Sequence, residues 1–312
     1  MSHRLCVAPM MDWSDRHYRY FMRQINPDAW LYTEMITTGA LLHGDVDRHL
    51  AFSKEEHPVG LQLGGSEPDD LAKCAVLGEK YGYDEINLNI GCPSERVQRG
   101  AFGACLMAEP QLVADCVKAI LDRTSLPVTV KHRTGVDSIE GYEFLKNFVD
   151  TVAQAGCKTF IVHARNAILK GLSPKENREV PALKYGFVYR LKQDFPGLEI
   201  VINGGVASIE EVLVHLQHVD GVMLGRTAYH HPWVLADARK QRSEVVLKMH
   251  EYIKNVKPIR SVLRHMLGLY HGERRARLWR RMLSDSAALA RNDPGLLLEA
   301  LEAAESRSMM AA

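Results

Sequence analysis

Short runs of β-branched and apolar residues recur along the chain at intervals of roughly 20 to 45 residues, each followed by a segment with helical spacing of its apolar positions. Eight such runs predict strands: Leu5–Ala8, Leu31–Met35, Val59–Leu63, Glu85–Ile90, Val128–Lys131, Phe160–His163, Ile200–Asn203 and Val222–Leu224. Between them, Asp69–Lys80, Pro110–Asp122, Glu140–Ala155 and Ser208–Gln217 predict helices, their apolar residues falling on one face. Eight strand–helix units in about 230 residues match the size and rhythm of an α/β fold of the (β/α)₈ TIM-barrel type; a doubly wound sheet of as many units is the rival. The placing of chemically distinctive residues favours the barrel. Met10, Gln62, Asn89, Lys131, His163, Asn203 and Arg226 stand at or just past the C-terminal end of a strand, and in a barrel those ends share the face that carries the active site.

The alternation stops near residue 240. Beyond it Val245–Leu269, Ala276–Ala290 and Pro294–Ala304 predict helices, separated by Gly272 and by Asn292-Asp293-Pro294. The expected organisation is a catalytic barrel over residues 1–240 and a small all-α domain over residues 241–312.

Composition adds little by itself: 312 residues, 46% apolar and 25% charged, are the mixture of a folded soluble protein. Charge is more informative in its distribution than in its total of +1. From Lys254 to Arg281 nine basic residues face only Glu273, a local +8 that leaves −7 elsewhere. A charge run is ordinarily a solvated helix face; concentrated in one appended domain, it points to a polyanionic partner. No uncharged stretch exceeds ten residues, against about twenty for a membrane-spanning helix. Met1-Ser2-His3-Arg4 runs straight into Leu5–Pro9, too short for the apolar core of an export signal, so a cytoplasmic chain without a membrane partner is expected. The six cysteines show neither C-x-x-C nor zinc-type spacing, and no metal is expected. Cys6, Cys74, Cys116 and Cys157 read as buried and inert, while the local pattern leaves Cys105 open.

Two strand ends open into glycine just before a helix: Ile202-Asn203-Gly204-Gly205-Val206-Ala207-Ser208 and Met223-Leu224-Gly225-Arg226. Glycine lets backbone N–H groups approach a phosphate, a helix N-terminus adds a favourable dipole, and an arginine can bind the anion bidentately. After the seventh and eighth strands lies the usual phosphate site of such barrels. Gln62, Lys131 and His163, ending the third, fifth and sixth strands, would ring the mouth with an amide, a cation and an imidazole. Those types fit a flavin, whose reduced ring carries negative charge that a lysine stabilises. In Glu85-Ile86-Asn87-Leu88-Asn89-Ile90-Gly91-Cys92-Pro93-Ser94 a strand turns through glycine and puts Cys92 on an open loop, as a proton donor or nucleophile.

Ala8-Pro9-Met10, Asn87–Ser94, Val130-Lys131-His132-Arg133, Val162-His163-Ala164-Arg165 and Gly225-Arg226 together resemble the tRNA-dihydrouridine synthase family, over nearly the whole chain. Pro9-Met10-Met11-Asp12-Trp13, Tyr32-Thr33-Glu34-Met35, Gly171–Arg178 and His265-Met266-Leu267-Gly268-Leu269 are similar to its bacterial A-type subfamily, which acts on D-loop uridines 20 and 20a. The resemblance implies FMN-dependent reduction of the uridine C5=C6 bond in tRNA, with NADPH (or NADH) reducing the flavin and then leaving. It implies FMN binding by Pro9, Met10, Met11, Gln62, Lys131, His163, Asn203, Gly204, Gly205, Gly225 and Arg226. Hydride would go to C6, Cys92 would give a proton to C5, Asn89 would help hold the uracil, and Lys131 would polarise its carbonyl. The target base must leave its stack to reach the flavin, so other groups must hold the RNA: Lys175 and Arg178, and Arg277 and Arg280, each pair three residues apart. No G-x-G-x-x-G follows a strand, which speaks against a tightly held dinucleotide, and nothing suggests a stable protein partner, so a monomer is expected. Gly272–Arg277 departs from the subfamily, being charged where a Pro-Gly turn is usual. Two other readings share these features: an FMN barrel reductase of a small pyrimidine or enone, resembling dihydroorotate dehydrogenases, and an RNA-binding protein with a vestigial flavin.

Overall fold

The computed structural model describes residues 3–306. The chain divides into two compact units: residues up to Asp12 with Ala29–Gly225, and Trp13–Asp28 with the residues from Arg226 on. The helix Arg16–Ile25, which follows the first strand, thus belongs with the C-terminal helices.

The first unit is a (β/α)₈ TIM barrel. Its strands are β1 (Leu5–Val7), β2 (Leu31–Tyr32), β3 (Val59–Gly64), β4 (Glu85–Ile90), β5 (Val128–His132), β6 (Thr159–His163), β7 (Glu199–Asn203) and β8 (Gly221–Leu224). Neighbours pair in parallel in sequence order from β3 to β8, β8 pairs with β1, and β2 with β3. A parallel bridge between Cys6 and Trp30, just ahead of β2, completes the ring. Helices start and stop where local chemistry dictates: Pro68 and Pro110 each open a helix, where a missing N–H costs nothing, and Gly82, at φ 87°, ends Pro68–Tyr81.

The expected second strand, Leu31–Met35, is two pieces. Leu31 and Tyr32 pair with Val59 and Gly60, and Ile36 and Thr37 with Leu63 and Gly64, so one residue is extra on the side of β2. In this bulge the Thr33 hydroxyl oxygen, rather than a ladder carbonyl, accepts from the Gln62 N–H at 2.9 Å.

The barrel interior is polar toward its floor. His3 lies between two carboxylates, its Nε2 2.6 Å from Glu85 Oε2 and its Nδ1 2.7 Å from Glu199 Oε2, and it stacks on Trp30 at 4.5 Å. Gly60 makes room for Glu85: a Cβ there would sit 2.9 Å from the Glu85 Cγ. Burial alone would lower the His3 pKa, but the two carboxylates override it and raise it to about 9, while Glu199 is held down at about 2. A raised histidine pKa stabilises the fold fully below the unfolded value of 6.5 and loses that effect as pH rises through 9. The stability difference between wild type and His3→Gln should therefore shrink by on the order of 3 kcal/mol from pH 6 to pH 10. Urea unfolding of both chains across that range measures it, and a constant difference would refute the charged triad.

In the second unit the expected helix Val245–Leu269 is two, Arg242–Ile253 and Arg260–Met266. Pro258 lies between them and cannot supply the N–H a continuous helix needs. The expected helix Ala276–Ala290 likewise splits into Ala276–Ser284 and Ser286–Ala290, because the Asp285 carboxylate accepts from the Ala288 N–H at 2.8 Å and starts a new helix. Gly295–Glu305 follows as expected. Buried Trp279 anchors the unit, its Nε1–H donating to the Met266 carbonyl at 2.9 Å. Asp15 caps Arg16–Ile25 by accepting from the N–H groups of His17 and Tyr18, and also accepts from Arg264 at 2.6 Å. Among the described residues no helix is long and apolar enough to cross a membrane.

Candidate active site

The C-terminal strand ends of the barrel gather most of the residues singled out by sequence. Register places Asn89 beside Lys131 and His163 beside Asn203 on adjacent strands. The Lys131 Nζ donates to Asn203 Oδ1 at 3.1 Å, and Asn203 Nδ2 donates to the Met223 carbonyl at 2.8 Å, so the asparagine is locked and presents its oxygen to the lysine. Burial, then the charge of Arg133, lowers the Lys131 pKa to about 7. His163 is kept neutral by its burial and by the surrounding cations Arg133, Lys131, Arg165 and Arg178. Arg133, Arg165 and Arg178 thus bring positive charge to this face.

Gln62 and Asn89 form a second cluster: Asn89 Nδ2 donates to Gln62 Oε1 at 2.9 Å, and Gln62 Nε2 donates to Asn87 Oδ1 at 2.7 Å. The other end of Asn89 shapes the cysteine loop, its Oδ1 accepting from the N–H groups of Gly91 and Cys92 at 3.1 and 2.9 Å. Cys92 is half-buried, and its thiol lies 3.6 Å from the Ser94 hydroxyl. Gly103 must be glycine to let this loop close, since a Cβ would meet the Cys92 carbonyl oxygen at 2.7 Å.

Gly204 and Gly205, at φ 109° and 77°, turn the chain after β7. A Cβ on Gly204 would lie 2.5 Å from the His163 ring, and one on Gly205 2.6 Å from the Tyr185 hydroxyl. Gly225 differs: its φ is ordinary and a Cβ would meet only Ala8, at 3.7 Å, so the packing does not require a glycine. Met10 packs on the core cluster of Cys6, Ala8, Trp30, Tyr32, Ile161, Val201 and Met223; Pro9 is half-buried and Met11 is 56% exposed. Arg226, next in the chain after Gly225, opens the helix Arg226–His230 of the second unit.

Lys175 and Arg178 are exposed on the loop after β6. Arg277 and Arg280 are exposed on the helix Ala276–Ser284, whose opposite face buries Trp279 and Leu283, and they line an open depression with Arg275 and Arg281. Cys6, Cys74, Cys116 and Cys157 are buried as expected, and burial raises each thiol. Cys105 is half-buried and donates to the Phe102 carbonyl at 3.2 Å.

Two residues missed by the sequence reading brace the site. Buried Arg133 donates to the carbonyls of Gly91, Asn166 and Asn177 at 3.1, 3.1 and 2.8 Å, tying the Cys92 loop to the loop that carries Lys175 and Arg178. Asn177, fully buried, donates to the Ile168 carbonyl at 2.8 Å and accepts from its N–H at 2.7 Å, closing that second loop on itself.

The barrel is similar to a solved structure of 2-naphthoyl-CoA reductase with 2-naphthoyl-CoA, with TM-score 0.56 over 74% of this chain and 49% of that one; at 10% identity the likeness is one of fold. Curated relatives are far nearer in sequence. The tRNA-dihydrouridine(20/20a) synthases of Vibrio parahaemolyticus and of Escherichia coli strain K12 are each 55% identical over 96% of this chain, covering 95% and 91% of their own lengths. That of Synechocystis is 53% identical over 96% of this chain and 94% of its own length. The dihydrouridine synthase (Dus) family signature spans residues 6–307, and with these relatives it establishes that the chain belongs to the dihydrouridine synthase family.

Proposed function

We propose that this chain reduces uridine to 5,6-dihydrouridine in tRNA, at D-loop positions 20 and 20a, with FMN as bound cofactor and NADPH as transient reductant. The observation that carries this reading is Cys92, half-exposed on a loop braced by Asn89 and Arg133 at the cationic end of the barrel. The residues present fit FMN. Lys131, Asn203, Gln62 and His163, with Pro9, Met10 and Met11, would hold its ring, while Gly204, Gly205, Gly225 and Arg226 would hold its phosphate. Gly225 supports this directly, because a glycine that packing does not need leaves backbone open to a ligand. Burial first, and then the neighbouring cations Arg133, Arg165 and Arg178, lower the Lys131 and His163 pKa values, and those cations favour an anion there.

When bound, FMN would supply the hydride for uridine C6, with NADPH as its reductant. The Cys92 thiol would give its proton to C5, and the thiolate left behind would be stabilised by the charges of Arg133 and Lys131, both of which interact electrostatically with it, until solvent returns a proton. Asn89 can hold the uracil only through its second Nδ2 hydrogen, since its oxygen is taken by two backbone N–H groups. Residues 1–240 would then be the catalytic domain and residues 241–312 the tRNA-binding domain of a monomeric enzyme, a division that differs from the compact units at Trp13–Asp28 and from Arg226 to Lys240, which group with the C-terminal helices.

Incubating the purified protein with unmodified tRNA and NADPH, then mapping the mass gain of two hydrogens, tests the reading. A gain in the D-loop supports it; bleaching of a yellow flavin by NADPH without that gain would favour a reductase of small molecules. Arg277→Glu with Arg280→Glu is expected to weaken tRNA binding by about tenfold or more and to lower the slope of log affinity against log salt by about 2. Filter binding at several salt concentrations reads both, and unaltered low-salt affinity would take these arginines out of the interface.

A further inference from the structure

The strand β4 carries Glu85, Asn87 and Asn89 at every second position, all directed into the barrel. They belong to one continuous line of side-chain hydrogen bonds. From the floor upward, Thr129 Oγ1 donates to Glu85 Oε1 at 2.9 Å, Asn87 Nδ2 to Thr129 Oγ1 at 2.8 Å, Gln62 Nε2 to Asn87 Oδ1 at 2.7 Å and Asn89 Nδ2 to Gln62 Oε1 at 2.9 Å. Asn89 Oδ1 ends the line at the N–H groups of Gly91 and Cys92.

The line can run in only one sense. A carboxylate has no hydrogen to give, and Glu85 faces His3 at one oxygen and Thr129 at the other, so the single hydroxyl hydrogen of Thr129 points down to it. The Thr129 oxygen must then accept, which turns the NH₂ of Asn87 toward it and the Asn87 oxygen toward Gln62. The same constraint passes through Gln62 to Asn89 and leaves an oxygen, not an NH₂, facing the cysteine loop. Reversed, Asn89 would set its NH₂ against two backbone N–H groups. Gln62, Asn87 and Thr129 are all at or below 1% exposure, so water cannot substitute for a broken link without repacking.

We propose that Glu85 and Thr129 are positioning residues for the Cys92 loop: the carboxylate on the barrel floor sets, through Thr129, Asn87, Gln62 and Asn89, the amide orientation that holds the Gly91 and Cys92 N–H groups. The role in catalysis rests on Cys92 as proton donor; the relay itself does not.

Amide hydrogen exchange of the full chain, without tRNA, tests the relay. Thr129→Val removes the link at nearly constant volume and should lower protection of the Gly91 and Cys92 amides about tenfold, the scale of a lost hydrogen bond, with β8 amides unchanged. Thr129→Ser, which restores the hydroxyl, should restore protection. If Thr129→Val instead loosens every strand, Glu85→Gln serves: an amide toward Thr129 no longer dictates the sense from the floor and leaves only the Asn89 end to favour it, so the two loop amides should lose part of their protection. Unchanged loop protection in either folded variant overturns the proposal. In wild type, the Gly91 and Cys92 nitrogens should also show scalar coupling to the Asn89 side-chain carbonyl carbon, and its absence overturns the proposal with no variant at all. On tRNA, Thr129→Val should lower kcat about tenfold at unchanged KM, with rescue by Thr129→Ser. Reduced protection with unchanged kcat supports the relay and counts against the proton-donor reading.

Discussion

Cys92→Ala is expected to lower dihydrouridine formation by about 10²- to 10⁴-fold, the span a positioned general acid contributes, while bound FMN and NADPH oxidation stay near wild type. The selectivity follows from how the loop is held. Its shape depends on backbone groups: the Gly91 and Cys92 N–H groups on Asn89, the Gly91 carbonyl on Arg133, and the Cys92 carbonyl accepting from the Ala104 N–H at 3.0 Å. Among the described residues the thiol's hydrogen bond is a long one, to Ser94, so alanine removes the proton donor and leaves the loop standing. The residues proposed for FMN keep their own partners, as Lys131 with Asn203 shows. Three measurements on one preparation separate the outcomes: flavin absorbance, NADPH consumption and dihydrouridine in tRNA by mass. Undiminished product would exclude Cys92 as the acid, and loss of flavin would show that it supports the cofactor instead.

How far the site was legible in sequence depends on what each residue touches. The eight strands were readable because parallel strands buried on both faces are short apolar runs, and Lys131, His163 and Asn203 were readable because strand ends are where a barrel displays its chemistry. Glu85, Asn87 and Asn89 left a visible signal too: a polar residue at every second position of a buried strand means that one face of it is polar and must be satisfied inside. Only Asn89 was picked out, because the role of the other two depends on Thr129 and His3, distant in sequence. Arg133 and Asn177 act on backbone carbonyls, which carry no sequence signature, and their bracing had no pattern to reveal it. Pro258 marked a helix break that the apolar spacing on either side masked, and the bulge beside β3 was hidden because Leu31–Met35 reads as one run. The grouping of Arg16–Ile25 with the C-terminal helices rests on contacts such as Asp15 with Arg264, invisible to local pattern.

Two glycines at neighbouring strand ends should respond to alanine in opposite ways. Gly204→Ala is expected to destabilise the fold by about 3 kcal/mol or more, because it adds two costs. An L-residue at φ 109° is strained by on the order of 1–3 kcal/mol, and its Cβ would lie 2.5 Å from the His163 ring. The ring has little room to retreat, being buried against the turn after β7. Gly225→Ala meets neither cost, since its Cβ finds only Ala8 at ordinary contact distance, and the unfolding midpoint should move by less than about 0.5 kcal/mol. If the Gly225 backbone faces the FMN phosphate, however, the added methyl group occupies space the ligand needs, and flavin retention should fall about tenfold or more, which is about 1.4 kcal/mol of binding. Urea unfolding of the flavin-free chains and flavin titration of the refolded ones read the two effects separately. Equal stability of both variants would contradict the strain assigned to Gly204. Wild-type flavin affinity in Gly225→Ala would move the phosphate away from β8, because a site formed there cannot take a methyl group between backbone and anion without loss.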